Sequence, residues 1–377
     1  MGIHRFTTPE PPPVQIFPAL AALAAASLSW AVTSLMKVGV LTGGGDCPGL
    51  NAVIRAIVRR ADDRNLEIMG IRDGWSGLLE ERQERLTRAR VSGILHQGGT
   101  ILGTSRLDPF SVEGGLERVR QVLDRHRVDA LITIGGEGTL SIARRMHEHG
   151  IPIVGVPKTI DNDLGGTDFT FGFDTAVQIA TEAIDRLHST AESHQRVMVV
   201  EVMGRHVGWI ATYAGMAGGA DAILVPEHPS HIDEIVEHVE RRRREGRRFS
   251  IIVCAEGAAV DLGEGVKIVS RGYDPWGHMK LGGVAHEVAE AIEERTGIET
   301  RVTVLGYIQR GGAPTAYDRV LATRFGVRAA DLVADRQFGM MAALQGNEIR
   351  AVPLADATRS LKVLDPAIYE VAQVFFG

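Results

Sequence analysis

Two acidic loops hold the residues best suited to chemistry in this chain. Gly135-Gly136-Glu137-Gly138-Thr139 sets one carboxylate among glycines. Backbone N–H groups there can hold phosphate oxygens while Glu137 binds magnesium, directly or through its water shell. Thr159-Ile160-Asp161-Asn162-Asp163 sets two carboxylates two residues apart. Asp161 suits the removal of a proton from an attacking hydroxyl, and Asp163 suits orienting Asp161 or touching a hydrated metal. Asp-Asn-Asp is also ordinary turn chemistry, so the reading gains its weight from the pairing with the Glu137 loop. A third loop, Thr42-Gly43-Gly44-Gly45-Asp46-Cys47-Pro48-Gly49, presents unobstructed backbone N–H groups at a helix start and makes a cradle for an anion. It has neither the Gly-Lys-Ser/Thr of a Walker A loop nor the full G-x-G-x-x-G of a dinucleotide fingerprint. A dinucleotide oxidoreductase is therefore disfavoured.

Phosphoryl transfer also needs cations, because its transition state spreads negative charge over equatorial oxygens. Arg106, Arg196, Arg205, Arg301 and Arg310 are the candidates. Arginines beside glycines at strand ends, where planar guanidinium groups can grip phosphate through two bonds, are the better ones. The run Arg241 to Arg244, with Arg247 and Arg248, reads as a solvated helix end or as a pocket for a phosphate-bearing effector.

These loops need strands to aim them. From Lys37 onward, short β-branched runs alternate with amphipathic stretches, the pattern of a mostly parallel sheet covered on both faces. Lys37–Thr42 reads as the first strand, and Leu50, Val53, Ile54, Ile57, Val58 and Ala61 fall at helical spacing after it. Strands at Ala130–Ile134 and Ile151–Val156 lead into the two acidic loops, the second loop beginning at Pro157. A second set lies near Arg196–Val202, Ala222–Val225, Ser250–Ala255 and Arg301–Leu305. The expected fold is α/β, with two similar Rossmann-like three-layer lobes, mostly parallel sheets, and a cleft between them at the strand C-termini.

The remaining features bound the possibilities. A chain of 377 residues, 44% hydrophobic, buries a large core, and length suggests two domains. A net charge of −6 supplies no broad positive field, so no nucleic-acid partner is expected. Cys47 and Cys254 are too few for a disulfide framework and lack zinc spacing, which fits a reducing, cytoplasmic setting. Cys47 reads as a small buried spacer. Residues 1–35 read as an extension with Met36 as the real start; their apolar stretch runs straight into the first strand, so no stable membrane association is expected.

Taken in order, Leu41-Thr42-Gly43-Gly44-Gly45-Asp46-Cys47-Pro48-Gly49-Leu50-Asn51, the GGEGT loop, Pro157-Lys158-Thr159-Ile160-Asp161-Asn162-Asp163, Val200-Glu201-Val202-Met203-Gly204-Arg205 and Ile308-Gln309-Arg310-Gly311-Gly312 resemble the 6-phosphofructokinase family, and among its members the actinobacterial type with an insert at roughly 258–282. The resemblance implies transfer of the ATP γ-phosphate to fructose 6-phosphate with Mg2+, the committed step of glycolysis. It implies a nucleotide lobe of 36–172 plus 310–363 and a sugar-phosphate lobe of 173–309 plus 364–377. Gly45, Arg106, Leu107, Gly136, Glu137, Gly138 and Thr139 would hold the nucleotide, with Glu137 as metal ligand. Asp161 would be the base, with Thr159, Arg205, Gly45 and Arg106 around the transferring group. Thr159, Ile160, Asp161, Arg196, Met203, Gly204, Arg205, Glu256, Arg301, Tyr307, Ile308, Gln309 and Arg310 would bind the sugar phosphate. Arg196 and Arg301 would reach in from a neighbouring subunit of a homotetramer or homodimer.

The donor rests on two residues. Pyrophosphate-using members tend to have Asp at the position of Gly138, where a carboxylate would repel the α-phosphate of ATP; Gly138 leaves that space open. Lys158 resembles the pyrophosphate enzymes. The expected donor is ATP, since a blocking carboxylate excludes ATP and a lysine does not. The alternatives are a pyrophosphate-dependent enzyme and, in a different class, a non-catalytic nucleotide sensor. Tyr307 stands where many members have His, and His188 and Asp221 stand where Arg and Glu are usual at the effector site, although Arg55, Arg59 and Arg88 fit that site.

Overall fold

Met36–Thr42 forms β1 because alternate and successive apolar side chains there, Val38, Val40 and Leu41, are all removed from water. Such two-faced burial is what a central parallel strand requires. The other strands that matter follow in order: β2 (Leu66–Ile71), β3 (Gln83–Arg85), β4 (Ala130–Gly135), β5 (Ile153–Thr159), β6 (Phe171–Gly172), β7 (Val197–Val202), β8 (Ala222–Leu224), β9 (Ser250–Ala255), β10 (Thr300–Val304), β11 (Met340–Gln345) and β12 (Glu348–Pro353). The computed structural model describes residues 35–263, 265–273 and 279–376. The expectations for residues 1–34, and for part of the 258–282 stretch, lie outside them.

Two sheets carry the unit Met36–Gly377. The larger runs β12-β11-β5-β4-β1-β2-β3, with β6 paired to β5. Its interior pairings are parallel, and antiparallel pairs close both edges. The smaller sheet, β10-β7-β9-β8, is parallel throughout. The expected α/β architecture with mostly parallel sheets is therefore present.

One boundary differs from the sequence expectation. Pro157, Lys158 and Thr159 belong to β5, not to the loop after it. Proline weakens a ladder only where its missing N–H is needed. Here Pro157 aligns with Gly135 of β4, while Lys158 and Thr159 pair with β6 on the other side. Two neighbours keep the strand going, and so fix where Asp161 emerges.

Five helices cover the sheets near the cleft: α1 (Leu50–Ala61), α2 (Glu137–Glu148), α3 (Phe173–His194), α4 (Val284–Thr296) and α5 (Ala316–Ala334). All six apolar residues expected on the inner face of α1 are buried. The buried Glu201 of β7 caps α4, its Oε2 accepting from Gly283 N (2.8 Å) and Ala285 N (3.2 Å), where the helix dipole favours a carboxylate. Among the described residues, no helix is long and apolar enough to cross a membrane.

The packing of α5 on α1 depends on Gly326. A Cβ there would lie 2.6 Å from the Val53 carbonyl oxygen and 2.8 Å from Ala56 Cβ, closer than packed atoms tolerate. Gly326→Val is therefore expected to destabilise the chain by about 1–3 kcal/mol. Its denaturation midpoint, compared with that of the parent chain, measures this directly, and an unchanged midpoint would show that the two helices separate at no cost.

Candidate active site

Six loops leave the C-terminal ends of strands from both sheets and line one cleft of about 1100 Å³. Gly44, Gly45 and Asp46 follow β1, and Gly136, Glu137, Gly138 and Thr139 follow β4. Ile160, Asp161 and Asp163 follow β5. Met203 and Arg205 follow β7, Glu256 follows β9, and Tyr307 and Arg310 follow β10. Open α/β sheets place ligands at such strand ends. Arg106, Leu107, Lys158 and Thr159 complete the expected residues found there.

The turn after β5 is held by its own side chains. Thr159 Oγ1 accepts from Asp161 N (3.0 Å), and Thr170 Oγ1 donates to the Thr159 carbonyl (2.8 Å). Asn162 takes a left-handed φ of 54°, a conformation that Asn tolerates better than most residues. Asp161 and Asp163 flank it. Both are buried, and in each the Oδ1 atom has no hydrogen-bond partner. Burial above all, and then the neighbouring charge of Asp161, pushes the Asp163 carboxyl up to about 7, against the opposing pull of Arg205. Burial likewise pushes Glu256 up to about 7, although its Oε1 accepts from Arg205 N at 3.0 Å. Unpartnered, desolvated carboxylates of this kind mark a site that awaits cations.

The opposite wall is basic. The Lys158 ammonium donates to the carbonyl of Gly45, and burial, joined by the charge of Arg310, pulls its pKa below the usual lysine range. The Arg310 guanidinium lies across Gly45, with Nη1 only 1.5 Å from where a Cβ would stand. A larger residue at position 45 would have to push the guanidinium aside. A Cβ on Gly138 meets nothing within 4 Å, so the space beside it is open.

Five of the expected residues do not line this cleft. Gln309 is fully buried, its Oε1 accepting from Met203 N (3.4 Å) and its Nε2 donating to the Gly306 carbonyl (3.1 Å). It shapes the backbone from behind. Ile308 points to solvent, and Gly204 serves the turn at φ 148°. Arg196 and Arg301 share Glu299, the first at 2.6 Å, at the N-terminal ends of β7 and β10. That is the end of the strands opposite the cleft loops.

The cleft also contains residues not anticipated. Ser141, Ile142 and Arg145 extend the face of α2 that begins with Glu137 and Gly138. Helical spacing of three and four from those two residues reaches Ser141 and Ile142, and the same step again from these two reaches Arg145. Arg145 pairs with Asp108 (3.0 Å) and lies over the Phe110 ring. Trp75 and Leu281 carried no local signal. Elsewhere, Arg242 is turned inward onto Asp221 (2.8 Å) and is 4% exposed, so the basic helix end is solvated only in part. His188 Nε2 contacts the Gly218 carbonyl (2.6 Å), so His188 and Asp221 both spend polar atoms within the chain. Burial drives the Cys47 thiol far upward, as suits a spacer.

Among the described residues, no three His, Cys, Asp or Glu side chains form a metal cage. Magnesium does not need one, since it is commonly held by one or two carboxylates and the substrate's phosphates. Glu137, whose Oε1 accepts from Ser141 Oγ (2.9 Å), and the unpartnered oxygens of Asp161 and Asp163 fit that requirement.

Comparisons with known proteins agree with this geometry. The family model described as Phosphofructokinase matches residues 37–333. A pyrophosphate-fructose 6-phosphate 1-phosphotransferase from Amycolatopsis methanolica is 59% identical over 344 residues, covering 91% of this chain and all of the relative. An ATP-dependent 6-phosphofructokinase 3 from Streptomyces coelicolor is 55% identical over 339 residues, covering 90% of this chain and 99% of the relative. A crystal structure of Pichia pastoris phosphofructokinase in the T-state superposes with a TM-score of 0.77 at 32% identity. That alignment covers 90% of this chain and 36% of the longer neighbour.

Raised carboxyl pKa values have a definite sign in stability. Asp163 and Glu256 bind protons more tightly when folded, so their contribution is fully present below the unfolded carboxylate value of about 4 and is lost as pH climbs through about 7. Asp163→Asn cannot ionise. It is expected to raise the unfolding free energy at pH 8 by an amount on the order of 1–3 kcal/mol, with the gain vanishing near pH 4. Denaturant melts at the two pH values test this, and an equal effect at both would refute it.

Proposed function

Since the chain belongs to the phosphofructokinase family, we propose that it moves the γ-phosphoryl group of ATP to the 1-hydroxyl of fructose 6-phosphate, with magnesium, giving ADP and fructose 1,6-bisphosphate. The observation that carries this reading is the presence of Glu137, Asp161 and Asp163 in one cleft with Arg205 and the glycine loop after β1. Magnesium bound near Glu137 would neutralise charge on the donor's phosphates. Gly45, Arg106 and the residues Gly136 to Thr139 bind the nucleotide. Thr159 and Arg205 flank the transferring group, and Asp161 takes the proton that leaves the attacking hydroxyl. Met203, Glu256, Tyr307 and Arg310 hold the sugar phosphate. The lobe of 36–172 plus 310–363 presents the nucleotide, and that of 173–309 plus 364–377 the sugar.

Open space beside Gly138 supports ATP, as do relatives named ATP-dependent. The buried Lys158 on the floor of the cleft favours a second reading, pyrophosphate as donor, and relatives named for pyrophosphate match at similar identity. Arg196 and Arg301, remote from their own strand-end cleft, support a homo-oligomer in which they complete a neighbour's site.

Asp161→Ser is expected to lower kcat by about a hundredfold or more while KM changes far less. Near-normal turnover would remove Asp161 from the mechanism. A coupled assay with ATP and then pyrophosphate decides the donor, with ATP the expected one. Gly138→Asp is expected to suppress ATP use, because its carboxylate would enter the open space next to the donor's phosphates. Activity with pyrophosphate alone would overturn the ATP assignment.

A further inference from the structure

Behind the catalytic turn, and outside the residues matched by the family model, the C-terminal segment presents a lysine to the loop from 162 to 168. Lys362 Nζ donates to Asn162 Oδ1 (3.1 Å), to the Thr167 carbonyl (3.0 Å) and to the Asp168 carbonyl (2.6 Å). Three acceptors match the three ammonium protons. The backbone of the same residue is committed too. Its N–H donates to the Asp163 carbonyl (2.9 Å), and its own carbonyl accepts from Trp209 Nε1 (3.1 Å). The neighbouring residues Leu361 and Leu164 form a single antiparallel bridge. The ammonium also lies 5.0 Å from the Trp209 ring and 5.9 Å from that of Phe169, within cation–π range.

All of this converges on Asn162, which is fully buried and left-handed. Its Oδ1 also accepts from Thr170 N (3.1 Å), and its Nδ2 donates to the Asp168 carbonyl (3.4 Å). Asp161 and Asp163 sit on either side of it, each with an unpartnered Oδ1. With no partner on that oxygen of either side chain, their aim follows from the backbone of the turn. We infer that Lys362 is a positioning residue for the reaction: its ammonium locks Asn162 and the 167–168 return, and so sets the direction of Asp161 and Asp163. Lys362 is not among the residues lining the cleft, so it acts without touching substrate. Misplacement by about 1 Å can cost on the order of a hundredfold in rate.

The inference rests on the phosphoryl-transfer reading above, and the test separates the two. Turnover of the parent chain checks the reaction, whereas hydrogen–deuterium exchange of residues 159–170 checks the lock without any reaction. In the full chain, Lys362→Met is expected to lower kcat by about ten- to hundredfold. KM for both substrates should stay within about threefold, with faster exchange across 159–170. Lys362→Arg, which keeps the charge and donors, should recover most of kcat. If the Met variant does not fold, Lys362→Gln carries the same readouts. A kcat within twofold of the parent, or unaltered exchange across 159–170, would overturn the proposal.

Discussion

Two carboxylates taken out of water a single residue apart are the constraint to which the rest of the structure answers. Asp161 and Asp163 are buried, close enough that one raises the proton affinity of the other, and short of partners in the ligand-free chain. Such a pair is tolerated only if the surrounding backbone is over-determined. The β5 strand is paired with β4 through Pro157 and with β6 at Lys158 and Thr159, Thr170 ties the loop back to it, and Asn162 accepts the left-handed turn between the acids. Stability is given up where function needs charge.

The same logic explains why donors of two kinds occur among close relatives. Lys158 and the glycine loop after β1 offer groups suited to any chain of phosphates, because neither reads a base or a sugar. On the proposed reading the space beside Gly138, where a notional Cβ meets none of the described residues beyond its own turn within 4 Å, leaves room for ATP. An opening admits a larger donor without excluding a smaller one. A preference for ATP would then come from contacts with the nucleoside, for which Arg106, Leu107 and the first turns of α2 are the proposed residues.

What could be read from the sequence was what has a local signature. Glycine-rich turns after β-branched runs located the loops after β1 and β4, and 3.6-residue periodicity located the buried face of α1. The extension of β5 through Pro157 was not legible, because it depends on β6 pairing from the far side. Gln309 was placed among the sugar-phosphate contacts by the family resemblance, and its amide is spent on Met203 N and the Gly306 carbonyl. Lys362 gave no signal at all. It is some 200 positions from Asn162 in the chain, and only the folded arrangement of the C-terminal segment brings the two together.

Arg196 and Arg301 show how charge at one end of a sheet bears on the other. Arg196 and Arg301 both bear on Glu299, and Arg301 also lies 4.0 Å from Glu293, so two cations face two carboxylates there. In an isolated chain this would be an ordinary surface arrangement of little energetic weight. On the proposed reading the cleft offers the sugar phosphate Arg205, beside the carboxylates, and Arg310, folded over Gly45. On the proposed oligomeric reading, a second copy that set its Arg196 and Arg301 against this cleft would add two guanidinium groups to that pair, and the two surfaces would form one binding site.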